Sequence, residues 1–301
     1  MFDLVEFPSE GALLRGRFYS RKGHSPAPCV VMAHGTSATI QMVAEDYAAV
    51  IQKAGMSVLL YDHRNFGGSG GEPRFEINPW IQARGYRDAV AYVRSRWDVD
   101  GRKIALWGDS YTAMQVLIVG AFIEGLAAIV AQIPTCGIEL PPIRPGESVL
   151  ETLRSIIATG DVCGTPETTT GPIPVVSSDQ INAPSLLKPM QAFRWFMEYG
   201  GRHGSGWENR ATRVIPPTAI PFSPYLTAPY LRVPTLMMVG RNDEMVHCNR
   251  AAQDAVYAAI AAPKSFYEIE GGHFGLLWSP GRLFEEAVGQ QVKFLRDVLS
   301  L

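Results

Sequence analysis

The sequence predicts an α/β protein in which a mostly parallel central sheet is covered by helices on both faces. Two observations support this prediction. Compact apolar runs alternate with segments in which apolar residues recur at helical spacing, as in parallel βαβ units. The apolar runs also lack polar alternation, which is typical of strands buried on both faces. The predicted strands are Cys29–His34, Ser57–Asp62, Lys103–Gly108, Ala127–Ile133, Thr235–Gly240 and Ser265–Glu270.

Helix signals separate these strands. Asn78 precedes Pro79, which gives an N-cap followed by proline at the first helical position. Apolar residues then recur at roughly helical spacing as far as Trp97. A second apolar stripe, from Phe284 to Val298, predicts a C-terminal helix that packs on the sheet.

Residues 137–231 interrupt the alternation. This segment is rich in proline, including Pro166, and carries the polar run Thr168-Thr169-Thr170. The chain after it resumes the α/β pattern, so we predict that residues 1–136 and 232–301 form one core. Residues 137–231 are then expected to form a lid over the carboxyl ends of the strands, where α/β folds bind ligands. The alternative interpretation is a loosely structured linker between two domains.

The composition is that of an ordinary soluble globular protein. Of 301 residues, 47% are apolar and 19% are charged, which allows a large core. A formal net charge of -2 provides no field for nucleic acid or an anionic membrane, so we expect neither as a partner. The apolar stretches are too short for a membrane span, and the acidic N-terminus is unlike a secretory signal, so the expected location is the cytoplasm. The composition leaves the oligomeric state open, and a homo-oligomer is compatible with it.

The cysteines are widely spaced and form no CxxC pair; they are Cys29, Cys136, Cys163 and Cys248. We therefore expect neither a disulfide framework nor a metal site. Cys29 opens an apolar run and is interpreted as a small buried hydrophobic residue. A catalytic cysteine is an alternative, but it would need a poised histidine, and the motifs favour a serine.

One predicted strand ends in Gly108-Asp109-Ser110-Tyr111-Thr112, and a buried helix follows it. A sharp turn between the two would hold Ser110 in a strained conformation with its hydroxyl above the sheet. Gly108 lets strand and helix approach, whereas Thr112 stands where a second small residue is expected. We predict that Ser110 is a nucleophile. The alternative is a capping serine in an ordinary strand-to-helix turn.

Two later strand ends supply a base and an acid. His273 follows Gly271-Gly272, and its titration range suits a group that accepts a proton and then returns it. Asp243 follows the preceding strand, where its carboxylate could fix the histidine tautomer. Glu244 is the rival acid, but its side chain is expected to point elsewhere in the turn. The remaining histidines are less well placed, in loops, beside a turn or at a helix start: His24, His34, His63, His203 and His247.

Two backbone amides are predicted to form an oxyanion hole. One belongs to Tyr111, directly after the nucleophile, and the other to the loop after the first predicted strand. That loop reads His34-Gly35-Thr36-Ser37-Ala38. Gly35 permits a tight turn, so Thr36 is the predicted second donor.

The chain order of Ser110, Asp243 and His273 is that of the α/β-hydrolases. With the motifs around it, this order resembles the dienelactone-hydrolase-like branch, which includes bacterial esterases and related polyketide transferases. The resemblance implies an α/β-hydrolase fold, these residues as the catalytic triad, and no cofactor. Thr112-Ala113 departs from the branch's usual elbow. The segments that carry the resemblance are Ala33–Thr36, Tyr61–Gly71, Gly108–Tyr111, Asp243–Met245 and Gly271–Phe274.

The glycine-rich segment Asp62–Gly71 could suggest phosphate binding. It lacks a P-loop lysine and the Rossmann glycine spacing, so we expect no nucleotide. We interpret it as a structural turn in which Asp62 and Arg64 brace the active-site loops.

Aromatic residues are frequent in the insertion, and four are predicted to contact substrate: Trp195, Phe196, Trp207 and, after the histidine, Trp278. The alternative is that they only pack the lid onto the core. The expected function is hydrolysis of a small-molecule carboxylic ester with a hydrophobic or aromatic moiety, through an acyl-enzyme on Ser110. Two alternatives remain: an acyltransferase or thioesterase with the same triad, and a hydrolase fold that only binds a ligand.

Overall fold

The computed structural model describes residues 1–21, 23, 25–165 and 168–301, and an eight-stranded sheet runs through it. His24, predicted to be a surface loop residue, and Pro166 of the insertion lie outside the described residues. The strands are β1 (Asp3–Ser9), β2 (Ala12–Tyr19), β3 (Ala27–Ala33), β4 (Ser57–Tyr61), β5 (Glu76–Ile77), β6 (Val99–Asp109), β7 (Ala128–Gln132), β8 (Thr169–Ile173), β9 (Ala211–Val214), β10 (Thr235–Gly240) and β11 (Lys264–Ile269). The helices are α1 (Ala44–Lys53), α2 (Pro79–Arg94), α3 (Tyr111–Val119), α4 (Glu147–Ala158), α5 (Met190–Gly200), α6 (Pro224–Thr227), α7 (Arg250–Ala259) and α8 (Arg282–Leu299), with 3₁₀ turns at Ala228–Tyr230 and His273–Leu277.

The central sheet has the strand order β1-β2-β4-β3-β6-β7-β10-β11. From β4 to β11 in this order, neighbouring strands are parallel. β2 is antiparallel to both of its neighbours, β4 and β1. The predicted parallel strands are confirmed with small shifts at their ends; β6, for example, begins at Val99 instead of Lys103. The β1–β2 hairpin was not predicted. It is a half-buried pair in which Phe7 lies opposite Leu14, so its pattern differs from the continuous apolar runs of the other strands.

Helices cover both faces of the sheet, as predicted. On one face, Tyr47 of α1 packs against Phe284 of α8 with their ring centroids 4.6 Å apart. On the other face, α2, α3 and α7 bury their apolar stripes. Asn78 caps α2 because its side-chain oxygen accepts hydrogen bonds from the amides of Trp80 and Ile81, which confirms the predicted start. Within the described residues, no helix has both the length and the apolar character needed to cross a membrane.

The insertion at residues 137–231 divides into two kinds of structure. Helix α4 extends the outer layer of one face, since the Arg84 guanidinium of α2 donates to the carbonyls of Ile156 and Ile157. Thr227 of α6 likewise donates to the carbonyl of Leu117 in α3, at 3.1 Å. By contrast, β9 pairs with β8 on one side and with the short β5 on the other, in a separate three-stranded sheet. The insertion therefore contributes both to the helical layer and to a second small sheet, which includes β5 from outside residues 137–231.

Candidate active site

The structure brings Ser110, His273 and Asp243 into one hydrogen-bonded line. The Ser110 Oγ lies 2.9 Å from Nε2 of His273, and Nδ1 of the same ring lies 2.8 Å from Oδ2 of Asp243. Each residue follows the carboxyl end of a parallel strand, β6, β11 or β10, so the sheet places the loops at one edge. The carboxylate can hold the imidazole in the tautomer whose Nε2 accepts the serine proton.

Both acidic residues after β10 contact the histidine segment, in different ways. Asp243 meets the imidazole, whereas Glu244 accepts a hydrogen bond of 2.7 Å from the backbone amide of His273. A second oxygen of Glu244 lies 3.4 Å from the amide of Phe274. Glu244 therefore points away from the ring, as expected, and fixes the start of the 3₁₀ turn that carries the histidine. This second role was missed, because it depends on β10 and β11 lying side by side.

The turn between β6 and α3 is tight and strained. Ser110 has φ 54° and ψ -113°, an uncommon conformation for a residue with a side chain. A Cβ on Gly108 would lie 2.4 Å from the carbonyl oxygen of Thr112, so only glycine fits there. Thr112 is fully buried, and its hydroxyl accepts from the Asp109 amide and donates to the Asp109 carbonyl. The departure from a small residue therefore supplies hydrogen bonds that close the turn.

Replacing Thr112 with valine should test this arrangement. Valine has the same shape but no hydroxyl, which leaves two buried backbone groups unpaired at a cost of about 2 kcal/mol in the free energy of unfolding. Thr112→Ser keeps the hydroxyl and should lose only about 1 kcal/mol, from the missing methyl group. Urea denaturation of both variants measures the difference. Equal losses in the two would show that the hydroxyl does not stabilise the turn.

The predicted oxyanion donors both lie beside the nucleophile. Thr36 and Tyr111 line the same cavity as Ser110. Tyr111 is the first residue of α3, so its amide has no acceptor within the helix. Gly35 brings the other loop close, since a Cβ on this residue would lie 3.4 Å from the Ser110 Cβ. The role of the two amides stays a prediction.

A cavity of about 610 Å³ opens at Ser110 and is lined mainly by apolar side chains. Trp195 and Phe196 of α5 are among them, and the indole of Trp195 donates to the carbonyl of Leu277. Trp207 and Trp278 are not among the described residues that line the cavity, and their contact with substrate stays a prediction. Trp207 packs behind Phe196, with ring centroids 5.3 Å apart. Trp278 leaves the 3₁₀ turn toward the surface and packs on Tyr199 with 37% of its area exposed.

Comparison with known proteins identifies the family of the chain. The sequence profile of the Alpha/beta hydrolase family matches residues 30–287. The chain belongs to the α/β-hydrolase family. It is 30% identical to a thiohydrolase (aneE) of Aspergillus aculeatus, in an alignment that covers 98% of this chain and 93% of that protein. It is also 26% identical to a polyketide transferase of Aspergillus fumigatus, over 98% of each chain.

Among solved structures, the α/β-hydrolase GrgF from Penicillium sp. sh18 aligns with a TM-score of 0.72. The alignment covers 100% of both chains at 24% identity, a similarity that shows the fold. Family membership confirms the predicted α/β-hydrolase fold with its mostly parallel sheet. The relation to polyketide transferases predicted from the motifs is also confirmed.

Asp109 is a buried carboxyl group next to Ser110. Burial raises the pKa of Asp109 from its ordinary 3.8 to about 6, although the nearby His273 and a hydrogen bond from Thr112 favour the ionised form. One carboxylate oxygen lies 3.1 Å from the place that a Cβ on Gly35 would occupy. Asp109 thus joins the elbow to the predicted oxyanion loop, a contact that sequence reasoning missed.

The raised pKa of Asp109 predicts a pH dependence of stability. Between about pH 4 and pH 6 the folded protein retains a proton that the unfolded chain has lost, so this group lowers the free energy of unfolding as pH rises. Asparagine does not titrate. As pH rises through this window, the free energy of unfolding of Asp109→Asn should therefore increase relative to that of wild type, by up to about 3 kcal/mol. Urea denaturation at several pH values measures the difference. A difference that stays constant with pH would contradict the assignment.

The segment after β4 is structural, as interpreted, but only one of its two predicted braces contacts the site loops. Asp62 accepts hydrogen bonds of 2.9 Å from the amides of Ile40 and Gly68, which ties the loop after β3 to the glycine-rich turn. Arg64 instead donates to the carbonyl of Glu10 in the β1–β2 turn, so its predicted role is wrong. The hairpin that receives it was not foreseen.

Cys248 lies against the histidine, a position that the sequence did not indicate. Its Sγ is 3.5 Å from Nδ1 of His273 and also contacts the carbonyl of Ile133. Burial raises the pKa of the Cys248 thiol well above its ordinary value, which keeps the thiol protonated and unreactive. Cys29 is fully buried within β3, which confirms its interpretation as a small hydrophobic residue.

Proposed function

We propose that this chain is a serine hydrolase that cleaves carboxylic esters with an apolar acyl or alcohol part through an acyl-enzyme on Ser110. The observation that carries the proposal is the hydrogen-bonded line of Ser110, His273 and Asp243 at an apolar cavity. A serine hydroxyl needs such a base to become a nucleophile at neutral pH. The apolar lining suits a hydrophobic or aromatic group better than a sugar or a peptide.

The proposed reaction has two halves. The Ser110 oxygen attacks the ester carbonyl while its proton passes to Nε2 of His273, and the negative oxygen is stabilised by the amides of Thr36 and Tyr111. Protonated His273 then gives this proton to the leaving alcohol, which leaves the acyl group on Ser110. In the second half His273 takes a proton from water while the water oxygen attacks the acyl carbonyl. The bond between the acyl carbon and the Ser110 oxygen then breaks, His273 returns the proton to that oxygen, and the acid is released.

Acyl transfer or thioester cleavage is the second candidate. It is favoured by the names of the two relatives, a thiohydrolase and a polyketide transferase. The same triad would serve, with a thiol as leaving group or an alcohol in place of water. Proposed partners remain small molecules in either case.

Covalent labelling and product analysis test the proposal. A sulfonyl fluoride should add one sulfonyl group per chain, located at Ser110 by mass spectrometry, and the label should be absent from Ser110→Ala. Failure of labelling together with no turnover of short aryl esters would favour a fold that only binds ligand. An ester and a thioester of one acyl group, each with and without a competing alcohol, then separate hydrolysis from transfer by their products.

A further inference from the structure

One cation stands out in the cavity lining. Arg213 belongs to β9, where it lies in register with Ile77 of β5 and Thr170 of β8. Its neighbours Val214 and Ile215 line the same cavity. Among the described lining residues, Arg213 is the only lysine or arginine. A permanent positive charge on a mainly apolar wall is not explained by packing.

Among the residues that the structure describes, the guanidinium of Arg213 has no ion-pair or hydrogen-bond partner. By contrast, Arg210, directly before β9, forms an ion pair with Glu208. Two carboxylates also line the cavity. Asp109 is buried against Thr112 and Gly35, and Glu139 is exposed. Neither forms an ion pair with Arg213, so its donors remain available to a ligand.

Arg213 shares the cavity wall with Tyr111 and His247, and its charge acts on both groups. Burial lowers the pKa of His247, and the charge of Arg213 lowers it further. Burial raises the pKa of Tyr111, and the charge of Arg213 offsets part of that rise. Tyr111 and His247 both line the cavity, and Tyr111 directly follows the nucleophile. Arg213 is itself exposed, so it stands in the cavity wall where a ligand and solvent can both reach it.

We propose that Arg213 binds an anionic group, a carboxylate or a phosphate, carried by the substrate whose acyl carbonyl lies at Ser110. This inference rests on the proposed function and narrows its substrate class to acids or phosphates attached to an apolar ester or thioester. A guanidinium offers paired donors that match either group. Because Arg213 is exposed, the attraction is screened, and we expect it to improve kcat/KM by about three- to tenfold.

Two matched substrate pairs distinguish the source of the anion. In the first pair the leaving group is pantetheine or pantetheine 4′-phosphate with the same acyl chain. In the second pair the acyl chain ends in a carboxylate or in the neutral carboxamide. For each pair the ratio of kcat/KM for the anionic to the neutral substrate is measured in wild type, Arg213→Gln and Arg194→Gln. Arg194 lies on α5, is exposed and is not among the lining residues, so it is the matched control.

The expected result is a wild-type ratio of about three to ten for one pair, a fall toward one in Arg213→Gln, and no change in Arg194→Gln. The wild-type ratio should also decrease with added salt, which a structural role of Arg213 would not produce. A wild-type ratio near one for both pairs overturns the proposal. So does an equal fall in both variants. Absence of turnover of every substrate in both pairs, anionic and neutral, would instead reject the proposed function, so the two failures are distinguishable.

Discussion

Replacing Ser110 with alanine is expected to lower kcat by about 10⁶-fold, the scale of loss when the nucleophile of a serine triad is removed. The Ser110 Oγ is the atom that faces Nε2 of His273, and alanine leaves the base without a proton to accept. The change removes one oxygen, so the free energy of unfolding should stay close to that of wild type. Turnover of an aryl ester and urea denaturation measure the two effects.

Ser223→Ala is the matched control for this variant. Ser223 is another buried serine of the cavity lining, and among the described residues its hydroxyl has no hydrogen-bond partner. It should retain most of the activity because its hydroxyl is not activated by a base. More than a few per cent of wild-type activity in Ser110→Ala would mean that Ser110 is not the nucleophile.

Replacing Asp243 with asparagine is expected to lower kcat by about 10⁴-fold with little change in fold. Asn can donate to Nδ1 of His273 and so select the tautomer whose Nε2 carries the proton and cannot accept another from Ser110. It also withdraws the negative charge that stabilises the imidazolium. The measurement is kcat for an aryl ester at saturating substrate.

Glu244→Gln should lower kcat by less than about tenfold, because the side-chain oxygen of glutamine can still accept a hydrogen bond from the backbone amide of His273. The pair of variants therefore compares neighbouring carboxylates that lose their charge, only one of which faces the imidazole. If Glu244→Gln were the more damaging change, the catalytic acid would have to be reassigned to Glu244.

The parallel strands and the three residues that meet at the sheet edge, Ser110, Asp243 and His273, could be predicted because each depends on local sequence. A strand buried on both faces must be continuously apolar, and the runs at Cys29, Thr235 and Ser265 carry that pattern. The β1–β2 hairpin was missed because its strands are partly exposed and alternate. Trp278 was assigned to the substrate pocket because it is near His273 in sequence, but one 3₁₀ turn is enough to carry it to the outer surface.

The packing of the insertion, residues 137–231, could be predicted only in part from its own sequence. Its proline content predicted an interruption of the α/β pattern, and the structure does place irregular chain there. Which of its parts would pack on α2 and α3, and which would line the cavity, depends on partners distant in sequence, such as Arg84 and Leu117. That residues 137–231 form a lid stays a prediction.

The sequence by itself determined the family and the parallel core, and it predicted the order of Ser110, Asp243 and His273, since these depend on strand pattern and on motifs at strand ends. Only the tertiary structure decided which carboxylate meets the imidazole, that Cys248 lies beside it, and that Arg213 stands in the cavity wall. The physical reason is that each of these contacts joins loops from different strands. Their distances are set by sheet order and register, which no single segment encodes.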